Sequence, residues 1–471
     1  MENTRRVIDF VVKARLEDIP AKGLEQARIG IFDCVGVALA GARQPAGAIG
    51  AEWARKAGGA QQATVWGHGF KTSAHDAALV NGTAAHALDY DDVTWGLIGH
   101  PSVSLVPSVF ALGEQTNASG RDVLLAYAVG FEVMAKLGRT TQPAHSLEGG
   151  WHATGTIGAF GATAACCKLL GLGADQIGRA LGIVYSMTSG NVKNFGTMCK
   201  PLHAGLAARN AVEATLWSEL GFSSVPHPFD GYRNFNEVYS RGLPENMAAL
   251  AELGREWELI LRGVTIKPYP CGVALHPAID AVLDLKARHK IDVDGIEKIQ
   301  VGMTRYTYDK LAYLEPKTGL EAKFSMPFTV AWTLVHPQVS LDTFTDAAVK
   351  QPKVLGLVRR TRNYVHDEIE RKWKMGSRPV HVRLCMKDGT TLEKQVDISK
   401  GNPEVALTAE ELQRKFEDCA RFALSHEGVR SAVEQLRGID RLKSIRELTA
   451  VLAGADPGST DLRGRVVDLA V

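Results

Sequence analysis

No stretch of the sequence approaches the roughly 20 consecutive apolar residues that span a bilayer, although 45% of its 471 residues are hydrophobic. A chain of that length and composition is expected to bury two packed domains, each with its own core. The first twenty residues, MENTRRVIDFVVKARLEDIP, interrupt their apolar positions with charges every few residues. They read as an amphipathic helix and not as the continuous apolar core of a signal peptide. A charge excess of either sign is also missing: 54 Lys and Arg stand against 52 Asp and Glu, a formal net charge of +2. Nucleic acid and anionic membrane are therefore not expected partners, and any bound anion must be held locally. Cysteines are few. The seven (Cys34, Cys166, Cys167, Cys199, Cys271, Cys385, Cys419) show no CxxC spacing, which argues for reduced thiols in the cytoplasm and against a disulfide framework or structural zinc. A low-complexity linker and a short-period repeat are likewise absent.

What is present is helical periodicity rich in alanine and glycine. From Val7 to about Ser240, segments such as HDAALVNGTAAHALDY, GTIGAFGATAACCKLLGLGA and HAGLAARNAVEATLWSELGF place small residues at helical spacing, which lets helices approach closely. Glycine clusters at Gly149-Gly150 and at Gly171-Leu172-Gly173 mark turns. Near residue 265 the texture changes. IEKIQVGMTRY (Ile296 to Tyr306) alternates like a half-buried strand, and RPVHVRLCMKDGTTLEKQVDI (Arg378 to Ile398) reads as a hairpin turning at Lys387-Asp388-Gly389. Helical stretches lie between them. Beyond, Thr408 with Glu411 forms a capping box that restarts the helical pattern. The expected fold is mainly α: a large all-helical domain (residues 1–265), a smaller inserted α+β domain (266–404), and C-terminal helices (405–471) that pack back on the first.

Four segments gather titratable residues beside glycine and proline, where turns present side chains to a cleft. HALDYDDVTWGLIGHPS carries His86, Asp89, Asp91, Asp92, Thr94 and His100, and GGWHATG carries His152. KNFGTMCKPLHAG holds Lys193, Lys200 and His203, and TIKPYPCGVALHP holds Lys267, Tyr269, Cys271 and His276. The three aspartates lack the D-x-D-x-D-G spacing of a calcium loop, so no metal is expected. Lys200 and Lys267 each precede proline, which predicts extended or turn backbone. Cys271 reads equally well as a small buried hydrophobe.

The order NGTAAHALDYDD, GHPS, GWH, NFGTMCKPLHAGLAARNAV, KPYPCG, LEPKTGLEAKFSMPF and GNPEVALTAEELQRKF resembles the MmgE/PrpD family from about residue 5 to 440. That resemblance implies a helical domain with an α+β lid, a homodimer, no organic cofactor, and proton transfer at carbon next to a carboxylate of a small polycarboxylate. The family's lyases place an aspartate at Asp89, a threonine at Thr94, histidines at His100 and His152 and lysines at Lys200 and Lys267. The assignment that follows gives proton transfer to His100 and His152 and an orienting role to Asp89. Lys200, Lys267, Thr94 and His203 bind substrate. Three positions depart from the pattern: the Asp89 to His100 loop is one residue longer, Pro270-Cys271-Gly272 replaces a proline-alanine-histidine stretch, and Phe328 stands where relatives carry tyrosine. The proline-cysteine pair points towards an epimerase, in which Cys271 would be a second acid or base. The expected function is a cofactor-independent dehydratase or decarboxylase of a citrate- or aconitate-like acid. The alternatives are an epimerase of a dicarboxylate, or a non-catalytic binder.

Overall fold

The computed structural model describes residues 1–240 and 246–454. The chain divides into two compact units. The first comprises Met1–Asn194, Met198–Ile266 and the segment from Thr408 onward, and the second Phe195–Thr197 with Lys267–Leu407. The part of the expected 405–471 segment beyond Gly454 lies outside the described residues.

The first unit is a stack of helices at Ala21–Gly41, Ala74–Ala87, Ser102–Thr116, Gly120–Thr141, Ala153–Leu169 and Cys199–Glu219, with Ala409–Ala420 against the first of them. The 153–169 helix is buried at every residue from Ala153 to Cys167, as a helix apolar on all sides must be. Small side chains permit this layering. Gly82 and Gly205 meet where the 74–87 and 199–219 helices cross, and a Cβ on Gly82 would stand 2.9 Å from the Gly205 Cα. A short antiparallel hairpin, β1 (Ala63–Val65) and β2 (Phe70–Thr72), interrupts the helices. The all-helical expectation did not include it, because three-residue strands are too short to show a period of two; Gly67 and Gly69 turn it with φ of 73° and 69°. Thr408 caps the C-terminal helix as a capping box with Glu411.

The second unit is built on a four-stranded sheet in the order β4 (Thr361–Val365), β3 (Ile296–Met303), β5 (Val380–Met386), β6 (Thr391–Val396). β3 and β4 are parallel and the other pairs antiparallel. The β5–β6 hairpin turns at the expected Asp-Gly pair, with Gly389 at φ 87°. Ile299, Val301, Val382 and Leu384 form a core with the helices His276–Arg288 and Met326–Val335. No helix among the described residues is long and apolar enough to cross a membrane.

Candidate active site

The titratable residues of the first unit converge where the 74–87 helix ends. His86, in the last turn of that helix, is followed by a loop that reaches Pro101 and starts the 102–116 helix. Asp89 and Ile98 adopt left-handed backbone (φ 51° and 54°), a conformation that non-glycine residues hold only where the surroundings impose it. Those constraints are visible. Val93 pairs with Thr265 through reciprocal N–H···O bonds of 3.0 and 2.8 Å, and the Thr94 N–H donates to the Gly99 carbonyl at 3.1 Å. The His100 N–H donates to Thr154 Oγ1 at 3.0 Å, and the Gln142 amide to the Leu97 carbonyl at 3.2 Å.

Asp91 is the hub. Its carboxylate oxygens take one imidazole each, His86 Nδ1 at 2.9 Å and His100 Nδ1 at 2.7 Å. Burial by itself would raise the Asp91 pKa, but the two imidazoles drive it well below the ordinary carboxylate range. Burial and the ammonium of Lys200 outweigh Asp91 at His86 and hold that imidazole below its ordinary value. The consistent reading is a negative Asp91 and a neutral His86. Lys200 Nζ donates to His86 Nε2 at 2.8 Å and lies 3.3 Å from Asp89 Oδ2. The His86 side chain is 0% exposed and the His100 side chain 12%, so of the two rings on Asp91 it is His100 that a substrate can reach.

His152 opens the 153–169 helix as its N-cap residue and lies 3.1 Å, Nδ1 to Nδ1, from His203. Burial, then neighbouring positive groups led by Lys200, push His152 well below its ordinary pKa; burial, with His86 and Lys200, brings His203 down to about 4. The ring centres of His86 and His152 are 5.7 Å apart, and those of His100 and His152 6.3 Å. The Thr94 hydroxyl is buried and has no hydrogen-bond partner among the described residues. Asp92 accepts from Ser102 N and Oγ at 3.3 and 2.7 Å. Burial and the charges of Asp33 and Asp91 raise it well above its ordinary pKa, against the Ser102 bonds.

Asp89, Thr94, His100, His152, Lys200 and His203 thus share one unit and one neighbourhood. Lys193 is exposed on a 3-10 turn, apart from its buried neighbours. Lys200 corrects the expectation of extended or turn backbone. It is the second residue of the 199–219 helix, with Pro201 third, where the missing N–H of proline costs nothing because first-turn N–H groups have no helical acceptor. Asp89, expected to orient an imidazole, comes within 3.8 Å of His100 Nε2, while the hydrogen-bonded carboxylate is Asp91. Sequence reasoning placed His86 and Asp91 in the right segment without a role; the density of titratable groups in HALDYDD was the available signal.

The remaining residues belong to the second unit. Lys267 is fully buried. The KPYPCG turn is fastened by Tyr269 OH to Asp280 (2.7 Å), Lys323 Nζ to the Pro270 carbonyl (2.7 Å) and Gly272 N to the Lys323 carbonyl (3.0 Å). Cys271 lies in the apolar core with Ala274, Leu275 and Ile279.

A helical unit carrying a buried His–Asp–His centre with an ammonium beside it, followed in the chain by an α+β unit, defines a mainly helical class of fold. Residues 5–247 match the MmgE/PrpD N-terminal domain and residues 269–437 the MmgE/PrpD C-terminal domain, so the chain belongs to the MmgE/PrpD family. It is 29% identical over 402 residues to cis-aconitate decarboxylase of Mus musculus, covering 83% of this chain and 81% of that protein. It is 26% identical over 445 residues to the enzyme of Homo sapiens (92% and 91%) and 26% identical over 481 residues to that of Aspergillus terreus (95% of each).

Proposed function

We propose that the protein is a lyase that removes carbon dioxide from a small polycarboxylate of the aconitate type, using its own side chains and no organic cofactor or metal. The observation that carries this reading is the Asp91 carboxylate shared by His86 and His100, with Lys200 on the far side of His86. The decarboxylase relatives support the choice of reaction.

In this mechanism the bond to the departing carboxylate breaks, carbon dioxide leaves, and the electron pair spreads onto the carboxylates conjugated with it. Lys200 anchors and neutralises one of those carboxylates, and Thr94 contributes its hydroxyl. Pre-placed charge of this kind is worth most in a buried site. His100 delivers a proton from Nε2 to carbon, because Asp91 fixes its Nδ1 and compensates the imidazolium charge. Solvent then returns the proton to His100. The neutral pair of His152 and His203 packs beside the reacting centre and shapes it. Cys271, seated in an apolar core, is assigned packing and no proton transfer, which removes the second base that an epimerase requires.

Incubation with cis-aconitate and a panel of di- and tricarboxylates in deuterated water, followed by NMR, tests the reading. The expected result is carbon dioxide release with one deuterium fixed at carbon in the product. Loss of water would make the protein a dehydratase, deuterium uptake without net product an epimerase, and silence throughout a binder. Dialysis against a chelator is expected to leave turnover unchanged.

A further inference from the structure

The bonds from Asp91 have a second chemical consequence. With Nδ1 of His86 and of His100 both turned to that carboxylate, the lone pair of each ring resides on Nε2. A carboxylate behind an imidazole whose other nitrogen faces a common point is the arrangement that orients histidine ligands around zinc. One ligand atom from each of His86, His100 and His152 lies within 4.8 Å of the others, and the same holds for His86, Asp89, Asp91 and His100. Atoms bound tetrahedrally to one zinc ion at about 2.1 Å lie about 3.4 Å apart, so shifts of up to roughly 1 Å per atom would gather the three imidazoles. The aspartate spacing that excludes a calcium loop does not bear on this set, whose imidazoles come from different parts of the chain.

The centre already holds a cation. Lys200 Nζ is bonded to His86 Nε2 and paired with Asp89 Oδ2, so it occupies the ring nitrogen of His86 that an ion at this point would need. We propose that His86, His100 and His152 form a site for a divalent ion of the zinc class, and that the Lys200 ammonium holds the ion's place in the metal-free protein. Zinc and the working arrangement of the site then exclude each other, so the ion acts as an inhibitor and not as a cofactor. The inference stands apart from the lyase reading, because its test is a binding measurement that needs no substrate.

Equilibrium dialysis with Zn²⁺ and the ligand-field spectrum of added Co²⁺ are measured on the wild type, on Lys200→Met and on Lys200→Met with His86→Gln. Lys200→Met is expected to take up one ion per chain about tenfold or more tightly than the wild type, with the intense visible bands of tetrahedral Co²⁺. Adding His86→Gln should abolish that uptake. Binding no tighter in Lys200→Met than in the wild type overturns the proposal, as does binding that survives loss of His86 and so belongs to some other group such as the exposed Cys199. Should Lys200→Met give no cooperative thermal transition, Lys200→Gln, which keeps a hydrogen-bond donor for His86, carries the same comparison.

Discussion

At the scale of single residues, the site divides labour between two imidazoles that share one carboxylate. His86 is sealed between Asp91 and Lys200, whereas His100 keeps an accessible edge. His100→Asn retains size and some hydrogen bonding but loses the transferable proton. Turnover should fall roughly 10²- to 10⁴-fold with little change in thermal stability, and deuterium incorporation at carbon should fall in parallel. Near-normal turnover would reduce His100 to a turn residue and pass the role to His152. Lys200→Met addresses the anchor instead. It should weaken binding of a polycarboxylate by about 1.5 to 3 kcal/mol, the worth of a charged hydrogen bond, as read by calorimetry with a slowly turned-over analogue. Arginine at this position should not restore affinity, since a planar fork does not reproduce a point charge. Wild-type affinity in the variant would remove the anchor from the mechanism.

At the scale of elements, the His86–Lys200 bond depends on how closely two helices can cross. A Cβ on Gly205 would overlap the Leu79 carbonyl oxygen and Thr83 Oγ1, so Gly205→Ala must push the 74–87 and 199–219 helices apart. Such overpacking costs about 1 to 3 kcal/mol, visible as a lower urea midpoint, and it should also reduce turnover because His86 and Lys200 are carried by those two helices. A loss of stability with full activity would show that the crossing distance does not control the site. Thr408 offers a contrast. Its hydroxyl accepts the Glu411 N–H at 3.2 Å, and Glu411 accepts the Thr408 N–H at 3.0 Å. Thr408→Ala should cost about 1 kcal/mol and leave kcat unchanged, since the Thr408 hydroxyl bonds within its own cap.

At the scale of the whole molecule, the pH dependence of stability should carry the signature of a second buried cluster. Glu132 is fully buried, 3.7 Å from Lys136, and it accepts the Glu258 N–H at 2.7 Å and the Gly254 N–H at 3.4 Å. Burial outweighs those favourable contacts and lifts its pKa from 4.5 to about 7. An acid whose folded pKa is raised contributes stability that is fully present below about pH 4.5 and is lost as pH rises through about 7, because the unfolded chain gives up its proton first. At about 1.4 kcal/mol per pH unit, that loss is on the order of 3 kcal/mol. Glu132→Gln should flatten this part of the curve, so the stability difference between variant and wild type should shift in the variant's favour between pH 4.5 and 7. Parallel curves in urea unfolding over that range would contradict the assignment.

Local patterns in the sequence alone determined the helical texture of the first unit, the β5–β6 hairpin turning at Asp388-Gly389 and the Thr408–Glu411 cap. Each rests on neighbours within a few residues, where propensity and hydrogen-bond geometry decide the outcome. The same holds for the set of polar segments, whose composition marked the site before any fold was known. Only the tertiary structure decided which members do what. Asp89 and Asp91 are two residues apart in an irregular loop, and no periodicity says which carboxylate turns inward; in the folded loop, which is left-handed at Asp89 and paired to Thr265 through Val93, Asp91 is the shared partner of His86 and His100. Lys200 reaches His86 across 114 residues of sequence because two glycines let their helices touch. A contact of that range is set by close packing and not by any local preference, which is why the chemistry of this centre was present in the composition and its geometry was not.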